Sequence, residues 1–242
     1  MTTPKLTLMM AYYNNPTMLA HQYAHWREFS DELKEQIEIV IVDDGSQHRA
    51  QDVLRGRDLP PLRIYRIEED RPWNQNAARN LAAAEAQGSW LFMTDMDHVV
   101  PGETLAACVP PALDRRHYYM FRRWDAGTLR PTVDKRGEFK PHPNTFAMAK
   151  STFFAAGGYD ERTCGYYGTD SIFRNRQLNK VATPVLMDHK IWRYSSHEIH
   201  DASTVGLPRK QGRPEGWRER MIKMLETTPK IPMLSFEWER VV

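Results

Sequence analysis

The stretch Ile37 to Ser46, IEIVIVDDGS, contains the clearest strand of the chain and the acidic turn that follows it. β-Branched residues dominate Ile37 to Val42, which favours an extended and buried segment. Asp43, Asp44, Gly45 and Ser46 follow at once, and residues of these types favour a turn. The sequence therefore predicts two carboxylates at the carboxyl end of a buried strand.

Strands and helices alternate on both sides of this stretch. Predicted strands cover Leu6 to Ala11, Leu62 to Ile67 and Ser89 to Thr94, and predicted helices cover Thr17 to about Leu33 and Asn76 to Gln87. Thr17 and Asn76 are the candidate N-caps, and Gly88 is the expected stop of the second helix. This alternation predicts an α/β fold whose mostly parallel sheet is covered by helices on both faces.

A second pair of carboxylates stands where the strand Ser89 to Thr94 stops. Since alternate side chains of a strand point the same way, Asp95 and Asp97 can present two carboxylates to one ligand. Two carboxylates suit a hard divalent cation that also binds phosphate oxygens, and open α/β sheets bind ligands at this edge. A solvated turn is the alternative interpretation of so short a pattern.

The second half of the sequence is less regular. A strand is predicted from Asn144 to Lys150 and a short helix from Ser151 to Ala156, ended by Gly157 and Gly158. Beyond Lys180 the pattern fades into segments interrupted by proline and glycine. We therefore expect one domain over residues 1–242, with an irregular second half.

Composition narrows the class of protein. The chain has 242 residues, and its 33 Lys and Arg nearly balance its 31 Asp and Glu, so the net charge does not indicate a general nucleic-acid binder. Cys108 and Cys164 have no metal-ligand spacing and suit a reducing compartment. No secretory signal or apolar segment of bilayer-spanning length is present. The expectation is a soluble cytoplasmic protein, with attachment to a membrane surface left open.

Four ordered motifs resemble those of family 2 glycosyltransferases with the GT-A fold. They are Leu8 to Asn14 (LMMAYYN), Val42 to Ser46 (VDDGS), Ala78 to Asn80 (ARN) and Asp95 to Asp97 (DMD). Asn144 to Leu178 resembles the acceptor side of β-1,4-galactosyltransferases. The resemblance covers roughly residues 5–200 and implies a nucleotide-sugar-binding half of about 1–100 and a smaller, irregular acceptor-side half of about 101–242.

The resemblance implies roles for residues of the first half. Tyr13 would lie near the nucleobase of the donor, and Asp43 and Asp44 would contact the nucleoside. Asp95 would be directed toward the ribose, and Asp97 would coordinate Mn²⁺ or Mg²⁺, with Asp95 nearby. Arg79 lies in the first turn of a predicted helix, where its guanidinium fork could hold a carboxylate or a phosphate. The alternative for Arg79 is a surface arginine.

The second half supplies the implied catalytic base. Asp170 matches the base of inverting members, while Asp160 and Glu161 are alternatives whose counterparts in relatives close a turn. Relatives usually carry a glutamate where this chain has Thr169, which puts in doubt whether the acceptor is an ordinary sugar.

A histidine is expected to complete the metal shell. His197 lies 27 residues after Asp170, a spacing similar to that of the metal-binding histidine in galactosyltransferase-like enzymes. His98 and His189 are the main alternatives.

The implied activity is metal-dependent, inverting transfer of a sugar from a nucleotide sugar, most commonly a UDP-sugar, to a hydroxyl of a glycan or small glycoside. Basic and aromatic stretches, Leu113 to Lys140 and Val205 to Lys223, leave hydroxymethylated DNA as an alternative acceptor. A nucleotidyltransferase is disfavoured because Tyr12 to Pro16 replaces a glycine-rich basic loop. A non-catalytic sugar-binding module would be expected to have lost Asp97 or Asp170.

Overall fold

The computed structural model of the chain describes residues 4–110, 113–166, 168–203 and 215–242. Its strands are β1 (Leu6–Tyr12), β2 (Ile37–Asp44), β3 (Leu62–Ile67), β4 (Trp90–Asp95), β5 (His98–Val99), β6 (His117–Asp125), β7 (Arg130–Pro131), β8 (Phe146–Ala149), β9 (Thr183–Arg193) and β10 (Trp238–Arg240). Its α-helices are α1 (Pro16–Arg27), α2 (Asp31–Gln36), α3 (Gln75–Glu85), α4 (Gly102–Ala106), α5 (Lys150–Ala155), α6 (Asp170–Arg176) and α7 (Trp217–Thr227). Short 3₁₀ helices cover Ala50–Asp52, Glu161–Thr163 and Leu178–Lys180.

These strands form one mixed sheet in the order β10–β3–β2–β1–β4–β8–β6–β9–β5, with β7 paired to β6. The neighbours β3, β2, β1 and β4 are parallel, as are β6 and β9. The pairs β10–β3, β4–β8, β6–β8 and β5–β9 are antiparallel. The prediction of an α/β fold with a mostly parallel core is therefore confirmed, and the sheet continues without interruption into the second half.

Two hydrophobic cores cover the faces of the parallel strands. Leu8 and Met10 of β1 pack with Trp26 of α1 on one face, whereas Met9 packs with Leu81 of α3 on the other. This alternation follows from the two-residue period of a strand. Burial on both faces explains the continuous apolar runs of β1 and β2 in the sequence.

The helix predicted from Thr17 to Leu33 is two helices. Pro16 occupies the first turn of α1, so the predicted N-cap at Thr17 is wrong. α1 ends at Arg27, and Ser30 then caps α2 by accepting a hydrogen bond from the backbone N–H of Leu33 at 3.3 Å. The helix predicted from Asn76 begins one residue earlier, after Asn74, and ends at Glu85.

The prediction that regular structure fades beyond Lys180 is wrong. β9 spans 11 residues and pairs with β6 along most of its length. Within β9 only Ile191 is fully buried, so the strand lacks the apolar run that reveals β2. α7 and β10 follow. Among the described residues, no helix combines the length and apolar character needed to cross a bilayer.

Candidate active site

The carboxyl ends of β1, β2 and β4 lie side by side. Tyr12 of β1 is level with Asp43 of β2, and Ala11 is level with Asp95 of β4. Gly45 follows β2 with a φ of +70°, and a Cβ at this position would lie 2.7 Å from the Cα of Asp70. A glycine is needed there because the conformation is left-handed and the next loop approaches closely.

Asp43 is a buried residue that organises the turn after β2. Its Oδ1 accepts a hydrogen bond from the backbone N–H of Ser46 at 2.8 Å, and its Oδ2 accepts from that of Ala50 at 2.9 Å. Arg66 donates to the same Oδ2 at 3.1 Å. These contacts match the turn interpretation of the acidic pair. A contact between Asp43 and the nucleoside stays a prediction.

Asp44 and Tyr13 both contact the segment that follows β3. Asp44 is buried, and its Oδ1 accepts a hydrogen bond from Nδ2 of Asn74 at 3.1 Å. Tyr13 is half-buried, and its hydroxyl donates to Oδ2 of Asp70 at 3.3 Å. The hydrogen bond between Tyr13 and Asp70 therefore joins the loops after β1 and β3. The sequence predicts the nucleobase of the donor near Tyr13.

Arg79 is buried and not at the surface, so the surface interpretation of this arginine is wrong. Its Nη2 lies 2.5 Å from Oδ1 of Asp95, and its guanidinium lies over the ring of Tyr159 at 5.4 Å. Burial alone would raise the pKa of the Asp95 carboxyl, but the charge of Arg79 and its hydrogen bond hold that pKa well below its usual range. Of the two ligands that the sequence allows for Arg79, the structure shows a carboxylate.

Replacing Arg79 by methionine is expected to destabilise the fold, because it leaves the carboxylate of Asp95 without its cation. Breaking a buried pair in this way costs about 3–5 kcal/mol, and we expect the lower end because the Asp95 side chain is 25% exposed. Urea unfolding at pH 7 measures the change, with Arg79→Lys as the charge-retaining control.

The same pair predicts a pH dependence. Because the folded-state pKa of Asp95 is depressed, the pair contributes stability above the ordinary carboxyl pKa of about 4, and this contribution is lost as the pH falls through the folded value. The gap between wild type and Arg79→Met should therefore narrow in acid. Equal stability of the two proteins at pH 7 would contradict the assignment.

Asp97 lies in the tight turn between β4 and β5. Its Oδ1 is 2.7 Å from Nδ1 of His98, and its backbone carbonyl accepts a hydrogen bond from the N–H of Tyr194 at 2.8 Å. Its side chain is 23% exposed, and no hydrogen bond from the described part of the chain reaches its Oδ2. Within the described part of the chain, one carboxylate oxygen of Asp97 is therefore left without a protein hydrogen bond.

The second oxygen of Asp95 faces the segment that precedes β8. Nδ2 of Asn144 donates to Oδ2 of Asp95 at 3.3 Å, and Nε2 of His142 lies 3.6 Å from the same oxygen. Burial lowers the pKa of His142 to about 3, with the nearby His98 adding to the effect, so the ring is neutral at pH 7. Nδ1 of His142 accepts the backbone N–H of Asn144 at 3.3 Å, so we assign the ring proton to Nε2, facing Asp95.

The sequence reasoning missed His142 and Asn144. Antiparallel pairing of β4 with β8, in which Met93 is level with Phe146, brings the segment before β8 to the end of β4. The available signal is a polar HPN stretch at the start of the strand predicted from Asn144.

The donor set at this edge fits the divalent cation that the resemblance implies. Both oxygens of Asp95 are contacted by protein groups, whereas Oδ2 of Asp97 receives no hydrogen bond from the described residues. Within the described ranges, no three His, Cys, Asp or Glu side chains converge closely enough to form a metal shell by themselves. Cations bound together with phosphates commonly take only one or two protein carboxylates, so Asp97 is the candidate ligand.

Of the three histidines considered for the metal shell, His98 contacts Asp97 through its Nδ1. His197 is exposed in the turn after β9, three residues beyond Tyr194, and its backbone N–H donates to Oγ of Ser195 at 3.2 Å. Tyr194 contacts the carbonyl of Asp97, so this turn starts beside the acidic pair. His189 lies within β9. A metal-binding role for His197 stays a prediction.

Asp170 is the first residue of α6, and its side chain lies outside the described part of the structure. The preceding residue, Thr169, is 1% exposed, and its Oγ1 accepts a hydrogen bond from Nδ2 of Asn76 at 3.1 Å. Oδ1 of Asn76 in turn accepts from Nη1 of Arg79 at 3.2 Å. A hydrogen-bonded chain therefore connects Asp95 with the start of α6, although the assignment of Asp170 as the base stays a prediction.

The two alternative bases serve the turn after α5. Asp160 accepts a hydrogen bond from Nε of Arg162 at 2.9 Å. Glu161 accepts from Nδ2 of Asn80 at 2.8 Å and from the backbone N–H of Leu234 at 3.0 Å. Both carboxylates are buried and engaged in structural contacts, in agreement with the turn interpretation.

Two arginines of the first basic stretch pair with carboxylates of the protein. Arg116 pairs with Asp114 at 2.6 Å, and Arg122 pairs with Asp188 and lies over the ring of Phe139 at 4.4 Å. In the second basic stretch, Arg209, Lys210 and Arg213 lie outside the described residues. A nucleic-acid groove stays a prediction.

The mixed sheet with a mostly parallel core and flanking helices is of the GT-A class. The model of glycosyl transferase family 2 matches residues 7–175, which is more than half of the chain. The chain therefore belongs to glycosyltransferase family 2.

Two curated relatives are similar to parts of the chain. An uncharacterised glycosyltransferase of Methanocaldococcus jannaschii is 25% identical over 161 residues, which are 64% of this chain and 52% of that protein. The uncharacterised glycosyltransferase YkcC of Bacillus subtilis is 27% identical over 99 residues, which are 41% of this chain and 31% of that protein. The chain thus spans about half of the first relative and about a third of the second.

Solved structures share the fold. The structure of S. aureus TarS 1–349 in complex with UDP-GlcNAc has a TM-score of 0.60 and 16% identity, covering 93% of this chain and 68% of that one. GalNAc-T7 with UDP, GalNAc and Mn²⁺ has a TM-score of 0.62 and 16% identity, covering 80% and 44%. At this identity they show the fold alone. None of these relatives specifically supports the β-1,4-galactosyltransferase likeness of the second half.

Proposed function

We propose that the chain is an inverting, cation-dependent glycosyltransferase that moves a sugar from a UDP-sugar to a hydroxyl of a glycan or small glycoside. The observation that carries this proposal is the difference between the surroundings of the two carboxylates at the carboxyl end of β4. Asp95 is held by Arg79 and Asn144, whereas Asp97 keeps an open oxygen. TarS with UDP-GlcNAc and GalNAc-T7 with UDP and Mn²⁺ share this fold, which supports a UDP-sugar donor.

The residues of the edge then have separate tasks. Asp97 would hold Mn²⁺ or Mg²⁺, and such a cation would supply Lewis-acid stabilisation of the charge on the diphosphate. Asp95, fixed by Arg79, would face the ribose, and Tyr13 would lie against the base, with Asp44 on the nucleoside. His197 would approach the cation from the turn after β9.

Asp170 would act as the base. As the acceptor hydroxyl attacks the anomeric carbon, Asp170 takes the hydroxyl proton, and the bond from the sugar to the diphosphate breaks. A single displacement of this kind inverts the anomeric configuration, so an α-linked donor gives a β-linked product. We also propose that residues 144–178 form an acceptor side similar to that of β-1,4-galactosyltransferases.

Hydroxymethylated DNA remains the alternative acceptor. The pairing of Arg116 with Asp114 and of Arg122 with Asp188 weakens that alternative, since these arginines already neutralise carboxylates of the protein. A nucleic-acid acceptor would be recognised by a steep fall of affinity with salt.

A donor screen tests the proposed function. We expect release of UDP from at least one UDP-sugar in the presence of Mn²⁺, its loss in excess EDTA, and its recovery when Mn²⁺ is restored, because the open oxygen of Asp97 needs a cation to bind a diphosphate. Mass spectrometry against an acceptor panel of glycosides, glycans and hydroxymethylated DNA then identifies the product. Full turnover in EDTA, or hydrolysis of no nucleotide sugar at all, would contradict the proposal.

A further inference from the structure

A buried and a half-buried histidine ring contact the two carboxylates of the edge. His98 is the first residue of β5 and is 1% exposed, and the side chain of His142, from the segment before β8, is 15% exposed. Their ring centroids are 4.3 Å apart with planes tilted by 39°. Nδ1 of His98 faces Asp97 at 2.7 Å, and Nε2 of His142 faces Asp95 at 3.6 Å. Each carboxylate is therefore contacted by one ring of the pair.

The ring of His142 is fixed from its far side. Its Nδ1 lies 3.3 Å from Oγ1 of Thr145 and 3.3 Å from the backbone N–H of Asn144. Oγ1 of Thr145 lies 3.3 Å from Oγ1 of Thr94, the residue before Asp95. These contacts connect the ring to β4 itself, so the orientation of the ring and the end of the strand are set together.

A histidine at position 98 is unfavourable for the stability of the fold. Its Nε2 is buried and has no hydrogen-bond partner among the residues that the structure describes, and an unsatisfied buried polar group costs about 1–3 kcal/mol. A phenylalanine would fill a similar volume without this penalty. The hydrogen bond from Nδ1 to Asp97 is what a histidine supplies there and a phenylalanine does not.

We propose that His98 and His142 are positioning residues, which orient the carboxylates of Asp97 and Asp95 for the diphosphate and cation of the donor. This inference rests on the proposed function. The rings act through the carboxylates and touch neither the donor nor the acceptor. His142 also ties the segment before β8 to the donor-binding edge, so that both halves of the sheet contribute to one arrangement.

Substitution of His98 separates positioning from folding. We expect His98→Phe to keep or raise the urea midpoint of unfolding and to weaken Mn²⁺ binding about 10- to 100-fold, the usual effect of losing a group that orients a metal ligand. His98→Asn, whose amide N–H can replace Nδ1–H, should recover most of that affinity. Mn²⁺ binding in the presence of UDP is measured by electron paramagnetic resonance of the free aquo ion, which does not depend on turnover.

Substitution of His142 tests the second carboxylate. His142→Phe should raise the KM for the donor more than it lowers kcat, and His142→Gln, which retains an N–H near the position of Nε2, should lie closer to wild type. The matched control is His117→Phe. His117 is a half-buried histidine that begins β6, and it lies at the end of the sheet where β4 begins, away from the carboxyl end of β4. That variant should bind Mn²⁺ and UDP like wild type.

The outcomes distinguish this inference from the proposed function. Failure of the wild type to bind UDP with Mn²⁺ overturns the proposed function and the inference with it. Normal binding by the wild type together with unchanged Mn²⁺ affinity in His98→Phe and an unchanged donor KM in His142→Phe overturns the inference alone. Equal losses in the Phe and Asn variants of His98, accompanied by a lower unfolding midpoint, would assign His98 a structural role and also overturn it.

Discussion

Asp97→Asn is expected to reduce sugar transfer by a factor on the order of 10²–10³, the scale seen when one stabilising group for developing charge is removed. The substitution keeps the shape of the side chain and an oxygen that can accept from Nδ1 of His98, so the turn should remain intact. What it removes is the negative charge on the oxygen that is open to a cation. Steady-state kinetics over a range of Mn²⁺ concentrations measures both the loss and any shift in cation dependence.

A control variant separates this effect from a general change of charge. Glu239→Gln removes an exposed carboxylate from the edge strand β10 and should leave transfer and Mn²⁺ dependence unchanged. If Asp97→Asn retained the wild-type Mn²⁺ dependence, the cation would have to be held elsewhere.

Asp170→Asn is expected to lower transfer at least about 100-fold while donor binding stays near the wild-type value, since general base catalysis contributes about 10²–10⁴. The amide cannot accept the proton of the acceptor hydroxyl, but it is close in size to the carboxyl and can occupy the same first position of α6. Donor affinity by titration and transfer rate by product chromatography are measured on the same preparation.

Two comparisons make this result specific to Asp170. Asp160→Asn and Glu161→Gln should lower the free energy of unfolding, because both carboxylates hold the turn after α5 through buried contacts. Full transfer by Asp170→Asn would move the role of base to one of these residues. An α-linked product from an α-linked donor would reject the inverting mechanism.

The sequence predicts the parallel core of the fold well. The predicted bounds of β2 and β3 lie within two residues of the observed ends. β2 is easily recognised because a strand buried on both faces is a short β-branched run, here followed by turn residues. The placement of Asp43, Asp44 and Asp95 at one edge follows from the parallel arrangement of these strands.

The second half of the sheet escaped prediction for a physical reason. β9 is only partly buried, and polar residues such as Asp188 and Lys190 interrupt its apolar pattern. Its strand conformation depends on pairing with β6, which is distant in sequence. No local pattern encodes such a pairing.

Neither the buried state of Arg79 nor the two histidine rings could be predicted from local sequence. Arg79 becomes buried because α3 packs across the sheet and the turn at Tyr159 covers the guanidinium. His98 and His142 meet only because β8 pairs antiparallel to β4. Propensity and spacing predict elements and edges, whereas contacts between elements determine which polar groups face each other.

The central claim is that the carboxyl edge of β4 binds a nucleoside diphosphate through a cation held by Asp97. Calorimetric titration of UDP into the wild type and into Asp97→Asn, each with Mn²⁺ and with EDTA, tests it most directly. We predict that the wild type binds UDP at least about tenfold more tightly with Mn²⁺, a difference of about 1.4 kcal/mol, and that Asp97→Asn binds equally weakly in both conditions. Binding of UDP by the wild type with the same affinity in Mn²⁺ and in EDTA would contradict the claim.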